Sequence, residues 1–180
     1  EDGHENWLLI KSKPTPPRPA EPAPSSVASL PKPQLATLAP SVPPGPGWLH
    51  ELKLDGYRVL AVVKGGRARM YTRNGLDWTH RFGPLPAALE RLLARSAVLD
   101  GEVVTLDAKG RTSFSELQRV LSAQTRGALR YIAFDLLELD GRDLRASPLV
   151  ERKAALAKLL AGAGPRLKVS QHLPQKGAEL

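Results

Sequence analysis

The 180-residue chain contains no cysteine. That absence excludes a disulfide framework and any thiolate-bound metal, and it suits a reducing compartment. Histidine is scarce too: His4, His50, His80 and His172 stand far apart, without the close pairs that metal sites use, so none is assigned to a metal. No apolar run approaches the roughly 18 residues that a membrane span needs, and no basic-apolar-small signal opens the chain. The expectation is a cytoplasmic protein with no membrane partner. Aromatic residues make up only 5% and do not interleave with the basic ones, so nothing points to stacking on single-stranded nucleic acid.

What is present is a core and a charge. A 42% hydrophobic content fills one ordinary domain, which excludes disorder throughout. The formal net charge of +8 favours an anionic partner such as a nucleic acid or nucleotide, although charge serves solubility equally. Twelve of the seventeen prolines fall between Pro14 and Pro46, mixed with Ala, Ser and Gly, so residues 14–47 read as a semi-rigid linker with too little apolar surface to fold. Before it, residues 5–11 form a short apolar run that reads as a strand already in progress.

From Trp48 the chain reads as folded. Strands are expected at Tyr57 to Lys64 and Arg67 to Thr72, joined by a Gly65-Gly66 hairpin turn. Leu85, Leu89, Leu92 and Leu93 recur at helical spacing and are expected in the core. A strand over 97–106 places Asp100 and Glu102 on one face. Ser113-Phe114-Ser115-Glu116 is a capping box opening a helix over 114–121. The strand at Arg130 to Leu139 is interrupted by Asp135, which must be paired or stand at a pocket edge, with Phe134 alternating to the opposite face. Ser147-Pro148 predicts a helix with proline at its first position running to about Ala161, and residues 166–172 predict a last strand.

The chemistry concentrates in His50-Glu51-Leu52-Lys53-Leu54-Asp55-Gly56-Tyr57-Arg58, where a lysine, two carboxylates and an arginine surround one glycine. A strand here would put Glu51 and Lys53 on one face, with Asp55-Gly56 as a turn or bulge. A lysine beside a pocket wall can act as a nucleophile, because unlike arginine it can give up its proton. The plainer reading is a solvated lysine before an ordinary turn. For Asp100 and Glu102, a solvent-facing polar edge competes with a pair that accepts from a sugar hydroxyl or holds Mg²⁺ through water.

Lys53-x-Asp55-Gly56-x-Arg58, Thr72-Arg73-Asn74-Gly75, Leu99-Asp100-Gly101-Glu102 and Ala133-Phe134-Asp135 follow one another in order. Together they resemble the ATP-dependent DNA ligases, within the covalent nucleotidyltransferases that include RNA ligases and mRNA capping enzymes. Among them the ligase modules of bacterial ligase D enzymes of non-homologous end joining are most similar. The resemblance covers residues 48–180. It implies an α+β fold: the first part of a nucleotidyltransferase (adenylylation) domain, with antiparallel sheets flanked by helices. Residues 1–13 resemble the end of the 3′-phosphoesterase module that precedes the ligase module in such enzymes.

By this resemblance Lys53 would attack the α-phosphate of ATP and carry AMP, with Asp55 near the metal and the nick. Glu51 would meet the adenine amino edge and Phe134 would stack on the ring. Arg58 and Arg73 would meet ribose or phosphate oxygens, Glu102 a ribose hydroxyl, and Asp100 and Asp135 would support the site or its metal. The cofactors implied are ATP and Mg²⁺ or Mn²⁺. The partners implied are nicked or broken double-stranded DNA, together with end-binding repair proteins near the bacterial nucleoid. A later glutamate motif, a paired-lysine motif and an oligonucleotide-binding domain are expected beyond Leu180, so these 180 residues by themselves are expected not to seal nicks. Two other readings stay open: a noncatalytic DNA-binding or docking fragment, and a related RNA ligase or capping-type nucleotidyltransferase.

Overall fold

A computed structural model describes residues 7–11, 30–35, 37, 47–107, 109–123 and 128–174. Most of the linker expected over 14–47, and the first two residues of the run at 5–11, lie outside these residues. The larger of two sheets holds strands β3 (Tyr57–Lys64), β4 (Arg67–Thr72), β5 (Ser96–Val104), β6 (Arg130–Leu139) and β7 (Arg142–Asp143) in the order β4-β3-β5-β6-β7, with β8 (Leu167–Val169) also pairing with β6. All its pairs are antiparallel except β6 with β8. The smaller sheet has the order β1-β2-β9, where β1 is Trp7–Lys11, β2 is Trp48–Leu52 and β9 is His172–Pro174. Residues 7–11, assigned on sequence to a preceding module, thus pair with the strand that carries Glu51.

Alternation along the central strands separates a packed face from a polar one. Val59, Ala61 and Val63 on β3, Leu99 and Val103 on β5, and Tyr131, Ala133 and Leu136 on β6 join one buried cluster. Helix α1 (Leu85–Leu89), helix α2 (Phe114–Ser122) and helix α3 (Leu149–Leu159) add Leu85, Leu89, Leu117, Val120 and Leu156 to it. The opposite face of β3 and β5 carries Arg58, Asp100 and Glu102, with Arg58 opposite Glu102 in register. The Tyr131 hydroxyl lies 3.0 Å from Val59 O and 3.1 Å from Leu99 O, so its single proton, shared between them, ties β6 to its neighbour β5 and to β3 beyond it.

The local expectations hold where local chemistry decides. Gly65 and Gly66 have φ of 57° and 72°, the left-handed pair that a two-residue hairpin requires. Ser113 Oγ accepts the Glu116 N–H at 3.4 Å, as the capping box implies. Four expectations are corrected. Helix α1 ends at Leu89 and the chain leaves it through tight turns, so Leu92 is buried but Leu93 is 98% exposed rather than core. The strand expected over 166–172 divides into β8 and β9, which belong to different sheets. Pro148, with ψ of 141°, precedes α3 as its N-cap instead of being its first helical residue. The register of β5 against β6 shifts between Asp100 and Gly101: Asp100 pairs with Asp135 and Gly101 with Ala133, which makes Phe134 the extra residue of a bulge. Strict alternation of Phe134 away from Asp135 is therefore broken at that point.

Candidate active site

Strand β2 ends at Leu52, so Lys53 is the first residue of the connection to β3 and is exposed, while Glu51, the last buried residue of the strand, is 2% exposed. The two therefore do not share one strand face in equal environments. The connection is fastened at three points. Asp55 N donates to Thr112 Oγ1 at 3.1 Å, and Asp55 Oδ2 accepts from Phe114 N at 3.2 Å, at the first turn of α2. Gly56 N donates to Glu102 Oε1 at 2.8 Å. A Cβ at Gly56 would collide with Val103 O and lie 2.8 Å from a Val104 methyl, so this close approach to β5 requires glycine.

Glu102 reports on what surrounds it. Burial pushes its carboxyl up to about 7, against the Gly56 N–H and the positive charges of Lys53 and Arg58, while Asp55 pushes the same way as burial. These groups are thus within electrostatic reach of one another. Two strand positions away, Asp100 takes a fork from Arg58, Nε to Oδ1 at 3.1 Å and Nη2 to Oδ2 at 2.8 Å. Burial raises the Asp100 carboxyl above the usual range, opposed by the Arg58 fork. The Arg58 guanidinium also lies 5.2 Å from the centre of the Phe134 ring, within cation–π range.

Helix α3 closes the arrangement with two adjacent cations. Arg152 reaches Asp135 with Nε and Nη2, both at 2.8 Å, and donates through Nη1 to Ser147 O at 2.7 Å. Lys153 is 2% exposed; its Nζ donates to Phe134 O at 2.9 Å and lies 2.7 Å from Glu51 Oε1. The second contact is ionic but is not aligned as a hydrogen bond, which leaves Glu51 Oε1 a buried acceptor without a donor among the described residues.

The structure thus brings Glu51, Lys53, Asp55, Arg58, Asp100, Glu102, Phe134 and Asp135 into one connected region. It does not tie in Arg73, which is exposed in the tight turn after β4 and has no ion pair among the described residues. The ligase-like motifs do not single out Arg152 or Lys153. A signal is present even so, because Leu149, Lys153, Leu156 and Leu160 recur at spacings of four, three and four and are all buried, so the lysine stands on the apolar stripe of α3. A charge in such a place demands a partner.

The donor set suits an adenosine nucleotide. Glu51 offers an acceptor, Phe134 an aromatic ring, Glu102 a carboxylate for hydroxyls, and Lys53 and Arg58 positive charge. It does not form a metal centre by itself, since no group of three His, Cys, Asp or Glu among the described residues could hold an ion. Among those residues no helix is long and apolar enough to cross a membrane.

Comparison with known proteins gives the class directly: residues 33–179 match the ATP dependent DNA ligase domain, and the chain belongs to that family. It is 44% identical over 130 residues to the multifunctional non-homologous end joining protein LigD of Pseudomonas aeruginosa, covering 72% of this chain and 15% of that protein. It is 39% identical over 132 residues to the LigD of Mycobacterium tuberculosis, covering 73% of this chain and 17% of that one. The solved ligase domain of M. tuberculosis LigD matches with a TM-score of 0.63 at 40% identity, over 73% of this chain and 42% of that domain. A mycobacterial DNA ligase D complexed with ATP and MES matches with a TM-score of 0.61 at 40% identity, over the same shares of the two chains. The chain therefore spans under a fifth of these full-length relatives and less than half of the solved domain.

Proposed function

We propose that this chain is the nucleotide-binding part of an ATP-dependent DNA ligase that joins breaks in double-stranded DNA, in the non-homologous end joining role named for its relatives. Lys53 is the nucleophile: its neutral amine attacks the α-phosphorus of ATP, a P–N bond forms, the bond to pyrophosphate breaks and the amine loses its proton. The AMP so held then passes to a DNA 5′-phosphate, and a 3′-hydroxyl displaces it to close the strand. Phosphoryl transfer of this kind depends on positioning and charge neutralisation more than on acid-base chemistry.

The residues divide that work. Glu51 and Phe134 hold the base, Glu102 a ribose hydroxyl, and Arg58 and Arg73 the ribose or phosphate oxygens. Asp100 and Asp135 support rather than ligate, since both oxygens of each are engaged by arginine forks. Asp55 keeps the Lys53 connection seated against α2 and faces the DNA. Mg²⁺ or Mn²⁺ would lend charge at the phosphates, held there chiefly by the nucleotide and water. End-binding repair proteins and the nucleoid form the setting this role implies.

The observation that carries the reading is the meeting at Glu102, where Gly56, 46 residues away in sequence, donates its N–H and the charges of Lys53, Asp55 and Arg58 converge. The test is incubation with Mg²⁺ and α-labelled ATP followed by denaturing electrophoresis, on this chain and on one continued through the rest of the ligase domain that its relatives carry. The longer chain should retain acid-labile label and Lys53→Ala should retain none. A folded longer chain that takes up no label, or a labelled Lys53→Ala, would sink the proposal; nick sealing by the 180-residue chain alone would overturn the reading of it as only the nucleotide-binding part.

A further inference from the structure

Lys153 does something unusual with its charge. Its directed hydrogen bond goes to Phe134 O, in the bulge of β6, while the Glu51 carboxylate receives only its proximity at 2.7 Å. Both side chains are 2% exposed, so neither is neutralised by water. The consequence is a buried carboxylate whose charge is compensated but whose Oε1 keeps its capacity to accept a hydrogen bond. The same lysine fixes the backbone that carries the Phe134 ring. It therefore joins the acceptor on β2 to the ring on β6, two elements in different sheets.

We infer that Lys153 is a positioning residue for base selection: it holds the Glu51 acceptor and the Phe134 ring in one relative placement, so that a purine with an exocyclic amine at C6 is preferred over one with a carbonyl there. The inference rests on the reading of this site as an ATP site and adds to it a residue outside the ligase-like motifs. An amine donates to Glu51 Oε1, whereas a carbonyl would face a carboxylate acceptor to acceptor and leave both unsatisfied. Without Lys153 the carboxylate loses its compensating charge and its fixed orientation, and the distinction between the two bases fades. A cross-tie that merely stiffened the fold would lower affinity for both nucleotides alike.

The experiment compares ATP with inosine triphosphate, which carries a carbonyl in place of that amine and a proton on the neighbouring N1, by calorimetric titration of the full chain. The wild type is expected to favour ATP by about tenfold or more, the scale of one well-placed hydrogen bond. Lys153→Met should bring the ratio towards one, and Lys153→Arg, which keeps the charge, should recover most of it. Should Lys153→Met not fold, Glu51→Gln/Lys153→Met, which buries no unpaired charge, carries the test beside Glu51→Gln, which leaves the Lys153 cation only its bond to Phe134 O: the second change should add no further loss of selectivity. A folded Lys153→Met with the wild-type ratio overturns the inference, as does a further loss in the double variant. A wild type that binds both nucleotides equally overturns the inference but leaves the ATP site standing. A wild type that binds neither overturns the site reading and the inference with it.

Discussion

Replacing Glu102 by glutamine should stabilise the protein at high pH and do nothing at low pH. The Glu102 carboxyl is raised from 4.5 to about 7, chiefly by burial. The folded state thus binds this proton more tightly than the unfolded state, and linkage makes stability fall as pH rises through the interval between the two values. The contribution is complete below about 4.5 and lost above about 7. A shift of about 2.5 units at about 1.4 kcal/mol per unit gives on the order of 3 kcal/mol. Partial access of solvent to Glu102 reduces that to about 1–2 kcal/mol. Glutamine carries no charge at any pH, and its Oε1 can still accept the Gly56 N–H. Urea unfolding midpoints for both proteins between pH 5 and pH 8 check this. The two curves should converge near pH 5, with the variant the more stable by about 1–2 kcal/mol at pH 8. A difference independent of pH, or one that favours the wild type increasingly as pH rises, would refute the reasoning. If the stabilised variant also loses labelling by ATP, the carboxylate at position 102 is kept for function against stability.

Two further outcomes test the frame around the site. Gly101→Ala would set its Cβ 2.6 Å from Ile132 O, 2.7 Å from Tyr131 Cζ and 2.9 Å from Ala133 Cα, two of them backbone atoms, so β5 and β6 must part beside the bulge. A loss of about 1–3 kcal/mol in urea unfolding is expected, and a loss under about 0.5 kcal/mol would show that the ladder yields freely. Arg152→Met leaves Asp135 without its cation in a half-buried place, at an expected cost of about 1.5–3 kcal/mol, and Asp135→Asn in the same chain should recover part of it. A double-mutant cycle with a coupling below about 0.3 kcal/mol would remove this ion pair from the account.

What could be read from the sequence was what neighbouring residues decide together. The hairpin at Gly65-Gly66 and the cap at Ser113 are set by backbone conformation within a few residues, and both appear as expected. Asp100 and Glu102 share a face because a strand alternates, whatever lies across from it. Asp135 was legible as a residue needing a partner, yet Arg152 could not be named, because that pair depends on how α3 crosses β6. The bulge at Phe134 was invisible for the same reason: it is a property of two strands in register, not of either alone. Placement of β2 between β1 and β9 depends on pairings with distant segments, that with β9 across more than a hundred residues of chain, for which the pentapeptide itself has no signal.

The buried charges are the strongest physical sign that this region exists for chemistry. Glu51, Asp100 and Lys153 are all nearly inaccessible, and a buried ion pair is commonly matched or exceeded in stability by apolar residues of similar volume. Stability alone would favour apolar residues at positions 51 and 153 together, and leucine or methionine at 153 would continue the stripe of Leu149, Leu156 and Leu160. The fold instead places a cation there, next to a carboxylate whose Oε1 lacks an aligned donor among the described residues. An arrangement unfavourable on packing grounds, with an acceptor at Glu51 not aligned to a donor among the described residues, is what the proposed binding site requires. The incompleteness also has a direction, since an acceptor-only group calls for a donor. The exocyclic amine of adenine is a donor of that kind, which supports the proposed ATP site on grounds separate from family resemblance.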